Sequence, residues 1–422
     1  MRMTRLAAAL LLALTTGGCG LLASLQPPVV AKSDVARAAA DPAAAIDAAA
    51  AVNAFGFDFY RALIAADPAA NAVVSPASVA IALAMARGGA RGETATQMDA
   101  VMHSLGSDEM AAGMNALDQA LRSRSATYGR YDVTLTMANA PFAQRDEAWE
   151  QSYLDALAER FGAGIRLVDY RTNTEGARLQ INDWVSEQTA ARIPELLASG
   201  TLDELTRLVL VNAIYVNAPW EREFDAAVTR PGGFTRLDGS TVEAQMMAIG
   251  GSFAHAEGAG WKAVELPYVG RKLALTVILP DDFPTYVAAL DGDAFAEVTD
   301  SLATAGEVEL TMPRFSTETK ADLATVLAGL GMPLAFDPLR ADFTGMTTQE
   351  PLFIKNVIHQ ANVSVDEQGT EASAATGVVV EAGAAPEGPF VIRLDRPFVF
   401  ALRDLETGAI LFLGQMVDPT AG

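Results

Sequence analysis

The chain has 422 residues, of which 50% are hydrophobic and 19% charged, with 30 Lys and Arg against 52 Asp and Glu for a net charge of −22. That apolar content excludes a disordered chain, a collagen-like fibre and a miniprotein held by disulfides. The acidic balance excludes a general electrostatic pull toward nucleic acid, whose binding rests on Lys and Arg neutralising phosphates. A single cysteine excludes an intramolecular disulfide and a Cys-rich zinc site.

Arg2 and Arg5 precede an apolar run over 6–14. The run is shorter than the ~20 residues a membrane-spanning helix takes, and a basic start before a short apolar run is the pattern of a secretory signal. Thr15-Thr16-Gly17-Gly18-Cys19 resembles a bacterial lipobox, which implies cleavage before Cys19 and acylation of its thiol. Thr16 stands where that pattern has Leu, and ordinary signal cleavage beside an incidental cysteine is the alternative. Gly20, where an Asp would imply inner-membrane retention, directs the anchor to an outer membrane if the cell has one. The expected organisation is a signal peptide over 1–18, an Ala-rich tether over 19–49 and one folded unit over 50–422. The protein is expected to be exported and lipid-anchored, or otherwise periplasmic or extracellular. No later stretch is long and apolar enough to span a membrane, so the lipid is the sole membrane contact expected.

Apolar residues at helical spacing, Phe55, Phe59 and Leu63, predict a helix over 52–65, stopped by Asp67-Pro68. Ser75 as cap and Pro76 in the first turn open a second helix running through Met85. It is apolar nearly all round and is expected to be deeply buried. Alternation over 131–138 predicts a half-buried strand. Amphipathic helices are predicted over 147–161 and 175–189. The run over 208–216 reads as a strand buried on both faces, and further strands are predicted over 273–279, 308–312 and 363–365. Residues 398–402 and 410–417 form a closing hairpin over Leu405-Glu-Thr-Gly408. Helices dominate the first half and strands the second, which is an α+β arrangement.

Catalytic chemistry is hard to find. Three histidines, His103, His255 and His359, make no His-Glu-x-x-His pair, and neither a Gly-x-Ser-x-Gly elbow nor a phosphate-binding Gly-x-x-x-x-Gly-Lys loop occurs. Gly258-Ala-Gly260-Trp-Lys-Ala263 loosely matches a dinucleotide fingerprint but opens no helix in a βαβ unit and reads as a turn. Ser75 and His359 as nucleophile and base lack a readable oxyanion hole, so a structural hydrogen bond is the better role. No cofactor and no metal are expected.

The informative segment is Asp366-Glu-Gln-Gly-Thr-Glu-Ala-Ser-Ala-Ala-Thr-Gly377. Thr370, Ala372, Ala374 and Thr376 fall on one face at period two and all are small, so the segment suits a strand pressed on a core. Gly383-Ala-Ala-Pro386 and Gly388-Pro389 follow, which is loop chemistry. A plain Ala-rich surface loop is the alternative.

This segment resembles the reactive-loop hinge of the inhibitory serpins, the serine protease inhibitors. The resemblance covers about residues 50 to 420. It is carried also by Asn71-Ala-Val-Val-Ser75-Pro76-Ala-Ser78 with Gly88-Gly-Ala-Arg-Gly92-Glu-Thr94, and by Leu210-Val-Asn212-Ala-Ile-Tyr-Val-Asn-Ala-Pro-Trp220 with Phe224. Val308-Glu-Leu-Thr-Met-Pro-Arg-Phe315, Ala341-Asp-Phe-Thr-Gly-Met346, Arg396-Pro-Phe-Val-Phe400 and Leu411-Phe-Leu-Gly-Gln-Met-Val-Asp-Pro419 follow in the family's order. The resemblance implies three β-sheets, eight or nine helices and an exposed reactive-centre loop. It implies no enzyme activity of the chain's own. A serine protease attacks the loop, forms an acyl-enzyme and is trapped as a covalent 1:1 complex when the cut loop inserts into the main sheet. The protein is expected to act as a monomer.

Under the resemblance, Glu367, Gly369, Thr370, Ala372, Ala374 and Thr376 form the hinge. No Lys, Arg or Pro interrupts 368–385, as insertion requires. Ser75, Ser78, Asn212, Trp220 and His359 match the positions that gate sheet opening. The family's spacing places the scissile bond between Gly383 and Ala384, with Glu381, Ala382 and Ala385 as alternatives. Small uncharged residues there suit an elastase-like or subtilisin-like protease and disfavour a trypsin-like one. Two alternative functions remain: trapping of papain-like cysteine proteases, and a non-inhibitory serpin acting as a binding protein.

Overall fold

The computed structural model describes residues 27–104, 107–302, 305–371 and 388–421. A short strand β1 (Val29–Ala31) precedes the long helix α1 (Pro42–Ile64). Then come β2 (Ala72–Val74) and the helices α2 (Pro76–Arg87), α3 (Gly92–Val101) and α4 (Ser107–Arg122). Strands β3 (Ala126–Tyr128) and β4 (Tyr131–Gln144), α5 (Gln151–Phe161), β5 (Ile165–Val168), α6 (Thr174–Gln188) and β6 (Leu208–Pro219) complete the first half. The second half opens with β7 (Arg230–Thr235), β8 (Thr241–Gly258), β9 (Trp261–Pro267) and β10 (Leu273–Pro280). It continues through α7 (Phe283–Ala289), α8 (Gly292–Ser301), β11 (Ala305–Pro313), β12 (Phe315–Asp322), α9 (Ala324–Leu330), β13 (Asn356–Val365) and β14 (Gly369–Thr370). The last strands are β15 (Phe390–Arg393), β16 (Phe398–Asp404) and β17 (Ile410–Met416).

The α+β class and the nine helices among the described residues agree with the sequence reading. One sheet runs β1-β5-β4-β6-β14-β13-β12, and a second runs β15-β11-β8-β9-β10-β16-β17-β2. Hydrogen bonds join into one sheet what a count of three separates, because the 18-residue β8 pairs with β7 and β11 and also with β9. Ser75 caps α2 and Pro76 follows at the first position; all but the last residue of this helix are buried. Arg124 and Asp404 form a buried two-bond ion pair, at 2.5 and 3.0 Å, that ties the end of the α4 region to β16.

Three expectations change. The stretch read as tether over 19–49 is folded from Val29 on. Val29–Ala31 pairs with β5, Arg37 bonds Asn115 and Asp118, and α1 starts at Pro42, capped by Asp41. Small residues set one close approach: a side chain at Gly113 of α4 would meet the Ala48 methyl at 2.8 Å. Helix α5 starts at Gln151, not at 147, because the Glu147 carboxylate is buried on Arg171. Strand β13 starts at Asn356, seven residues before the predicted 363. Gly258 and Trp261 close the β8–β9 hairpin, so the glycine fingerprint is a turn.

The first sheet lies between two apolar layers. Leu208, Leu210, Ile214, Val216 and Ala218 of β6 enter the main core with α1 and α2. Val209, Val211 and Ala213 face a smaller core with Ile181, Trp184 and Val185 of α6. Asn212 is the polar exception on this strand's main-core face.

Candidate functional site

The sheet is parted at one end. Strands β6 and β13 pair in parallel over 209–214 and 356–361. Further along, β14 stands between them, antiparallel to both, with Thr370 opposite Ala218 on one side and Val365 on the other. The two residues of β14 are the first of the sequence segment with small alternate side chains.

The mouth of this parting holds Glu367, Gly369, Thr370 and Trp220 together. The Trp220 indole donates to the Asp366 carbonyl at 2.9 Å, and its amide donates to Gln368 O at 2.9 Å. Its ring stacks on Tyr268 at 4.5 Å, and the Tyr268 hydroxyl is 2.5 Å from Thr370 Oγ1. A Cβ on Gly369 would lie 2.2 Å from the Ala218 carbonyl oxygen, so only glycine admits this close approach. The Glu367 carboxylate is buried and accepts from Arg314 and Thr229. Burial alone would raise its pKa; these two bonds outweigh it and hold the group below the ordinary carboxylate value.

Where β6 and β13 still pair, a polar row crosses the sheet. Asn139 of β4, Asn212 of β6 and His359 of β13 are neighbours in register. His359 Nδ1 lies 2.5 Å from Asn212 Oδ1, and the Ser75 amide donates to His359 Nε2 at 3.3 Å. Asn212 donates to Ser78 Oγ and to Asn139 Oδ1, and the Ser78 hydroxyl donates to Asn139 Oδ1 at 2.8 Å. His359 is fully buried, and that burial depresses its pKa to about 3. The imidazole is therefore neutral, with its proton on Nδ1 facing Asn212 and Nε2 free to accept. Ser75 meets this ring through its backbone, and its Oγ accepts from the Ser78 amide. That is a helix cap and not a nucleophile–base pair.

The structure thus brings Ser75, Ser78, Asn212 and His359 into one cluster and sets Trp220 at the mouth. Asn139, Tyr268, Thr229 and Arg314 belong to the same site; the sequence reading names none of them as a site residue, Arg314 appearing there only within the Val308–Phe315 motif. Asn139 lies just past the alternating run that marks its strand; Tyr268 and Thr229 come from distant loops with no local signal, and the motif around Arg314 gives no hint of the hinge. Ala372, Ala374 and Thr376, the bond residues Glu381, Ala382, Gly383, Ala384 and Ala385, and Cys19 lie outside the described residues. Among the described residues no group of His, Cys, Asp or Glu is placed to hold a metal ion, and no helix is long and apolar enough to cross a membrane.

Residues 50–419 match the model of the family described as serpin (serine protease inhibitor). The leukocyte elastase inhibitor of Bos taurus is 37% identical over 88% of this chain and 99% of its own length. Plasminogen activator inhibitor 1 of Sus scrofa is 34% identical over 86% of this chain and 91% of its own. The crystal structure of a thermophilic serpin, tengpin, in the native state superposes with a TM-score of 0.80 at 25% identity, covering 93% of this chain and all of that one.

Proposed function

The chain belongs to the serpin family, and on that premise we propose that it is a suicide-substrate inhibitor of serine proteases that traps the acyl-enzyme by loop insertion. One observation carries the reading: the hinge already stands, two residues deep, between the parallel strands β6 and β13. Extending β14 in the same register moves each further residue one place back along both neighbours. Ala372 then falls opposite Val216 and Val363, Ala374 opposite Ile214 and Ala361, and Val378 opposite Leu210 and Val357. Those β6 partners belong to the main core, where small or apolar side chains enter without desolvating a charge.

Thr376 arrives between Asn212 and His359. It separates the pair that closes the sheet and offers both a hydroxyl in exchange, so the polar row is not left unsatisfied. Val380 reaches Leu208, where β6 begins, and Gly383 lies just past that end. A protease acylated at Gly383 is thereby carried to the far end of the sheet. Residues 371–380 gain ladder bonds on two sides, a driving force on the order of 10 kcal/mol at about 1 kcal/mol per net bond.

The target we propose is elastase-like or subtilisin-like. Small residues around 382–385 support this, as does identity to leukocyte elastase inhibitors. We place the inhibitor outside the cytoplasm as a monomer, held by a lipid on Cys19 or secreted. The experiment is incubation of the full chain with pancreatic elastase, subtilisin, trypsin and papain, followed by denaturing gels and mass spectrometry. A complex that survives denaturant, with a released C-terminal peptide, supports the trap, and the peptide's first residue locates the bond. A complex with papain alone moves the target to cysteine proteases. Cleavage without any complex refutes the trap and leaves a binding protein.

A further inference from the structure

The hinge is stopped at Glu371. This residue keeps the β13 register, its amide donating to Ser364 O at 3.0 Å. Its φ of 53° is nevertheless left-handed, a conformation that residues with a Cβ hold only when their surroundings impose it. The side chain is only 11% exposed, and Oε2 lies 3.6 Å from Arg192 Nε with no hydrogen-bond partner. Burial raises this carboxyl's pKa and the Arg192 charge opposes the rise.

Arg192 stands on a well-held turn after α6. Ala190 and Ala191 are left-handed, the Ala191 amide donates to Ser186 O at 2.7 Å, and the Arg192 amide donates to Thr189 O at 2.9 Å. Ile193, Leu196 and Leu197 are buried with β6, and Asn182 bonds the Leu197 backbone through both its amide and its carbonyl. The turn is thus fixed to the sheet and does not follow the hinge.

We propose, resting on the trap reading, that Arg192 is a positioning residue for insertion: it holds Glu371 in the turned-out conformation and so sets how readily the hinge enters. Entry requires an extended φ at Glu371. With the amide kept on Ser364, that rotation swings Cβ about the N–Cα bond by well over a right angle. The carboxylate then leaves its place beside Arg192, so the pair favours the turned-out state alone, and only a differential contact shifts an equilibrium. The left-handed backbone and the desolvated carboxylate push toward entry. Without Arg192 the carboxylate is buried with its charge uncompensated, and the balance moves to insertion.

The test uses the full chain mixed in a stopped-flow cell with a protease that the gels above show to cut the loop and be released. Stopped-flow tryptophan emission follows entry, with Trp220 in contact with the hinge, and the rise in thermal midpoint after nicking is the second readout. Arg192→Ala enters about fivefold faster than the parent, the scale of a partly exposed ion pair. Placed on Glu371→Ala, the same change has no further effect. Glu371→Gly enters more slowly than Glu371→Ala, because glycine holds the left-handed turn without strain. An Arg192→Ala rate at or below the parent's overturns the proposal and leaves the trap standing. So does an equal acceleration on Glu371→Ala, or a Gly variant faster than the Ala variant. A nicked parent that gives neither signal overturns the trap and Arg192's role with it.

Discussion

Replacing Thr370 with arginine tests the insertion step at its first residue. Thr370 is 1% exposed, its partners Ala218 and Val365 are 0% and 1% exposed, and its hydroxyl meets Tyr268. No carboxylate among these neighbours is placed to receive a guanidinium. Burying that charge unpaired costs several kcal/mol. The uncut chain escapes the cost by turning two hinge residues out of the mouth; the inserted strand cannot escape it. A penalty of about 4 kcal/mol on the insertion barrier slows that step about 10³-fold, while attack on the loop and deacylation are untouched. Titrating elastase with parent and Thr370→Arg, and separating covalent complex from cleaved inhibitor on denaturing gels, reads the partition directly. The variant is expected to be almost entirely cleaved and released, with a thermal midpoint before cutting lowered only by the lost β14 and Tyr268 bonds. An equal yield of complex from the two chains would refute the register and the insertion argument built on it.

Two further outcomes concern the fold. His359 in the native chain titrates at about 3 and in the unfolded chain near its ordinary 6.5. Unfolding therefore takes up a proton between those values, and stability is full above about pH 6.5 and falls toward pH 3, by at most about 1.4 kcal/mol per pH unit from this group. Urea unfolding across that range measures the slope; His359→Gln is expected to flatten it, and an unchanged slope refutes the assignment. Arg124→Met leaves the Asp404 carboxylate buried with only Thr407 as partner, for an expected loss of about 3–5 kcal/mol in unfolding free energy. A loss below about 1 kcal/mol would show that the pair is dispensable.

Much of the site was legible because it rests on short-range chemistry. Ser75-Pro76 is a cap and first turn, Asn212 interrupts an apolar strand, and the small residues after Gly369 repeat at period two. What was not legible depends on distance. The alanines among 43–51 carry no large side chain, so their pattern shows no stripe; Ala48 packs closely because α4 offers Gly113 opposite it. The start of β13 was missed because Asn356, His359, Gln360 and Asn362 break the apolar run. His359 points to a polar cluster that no local pattern reveals. Asn139 looks like a surface position at its strand's end until β6 sets it beside Asn212. Tyr268, Thr229 and Arg314 support the hinge across long stretches of sequence, where only three dimensions relate them.

The pairing of β1 with β5 has a spatial consequence for a lipid-anchored inhibitor. If the proposed lipid sits on Cys19, any leash to it would end by Val29, where β1 pairs with β5, and not at residue 49. Ten residues reach at most about 35 Å when fully stretched. On that proposal the inhibitor would patrol a thin shell above its bilayer and would meet proteases at the cell surface in preference to those free in the medium.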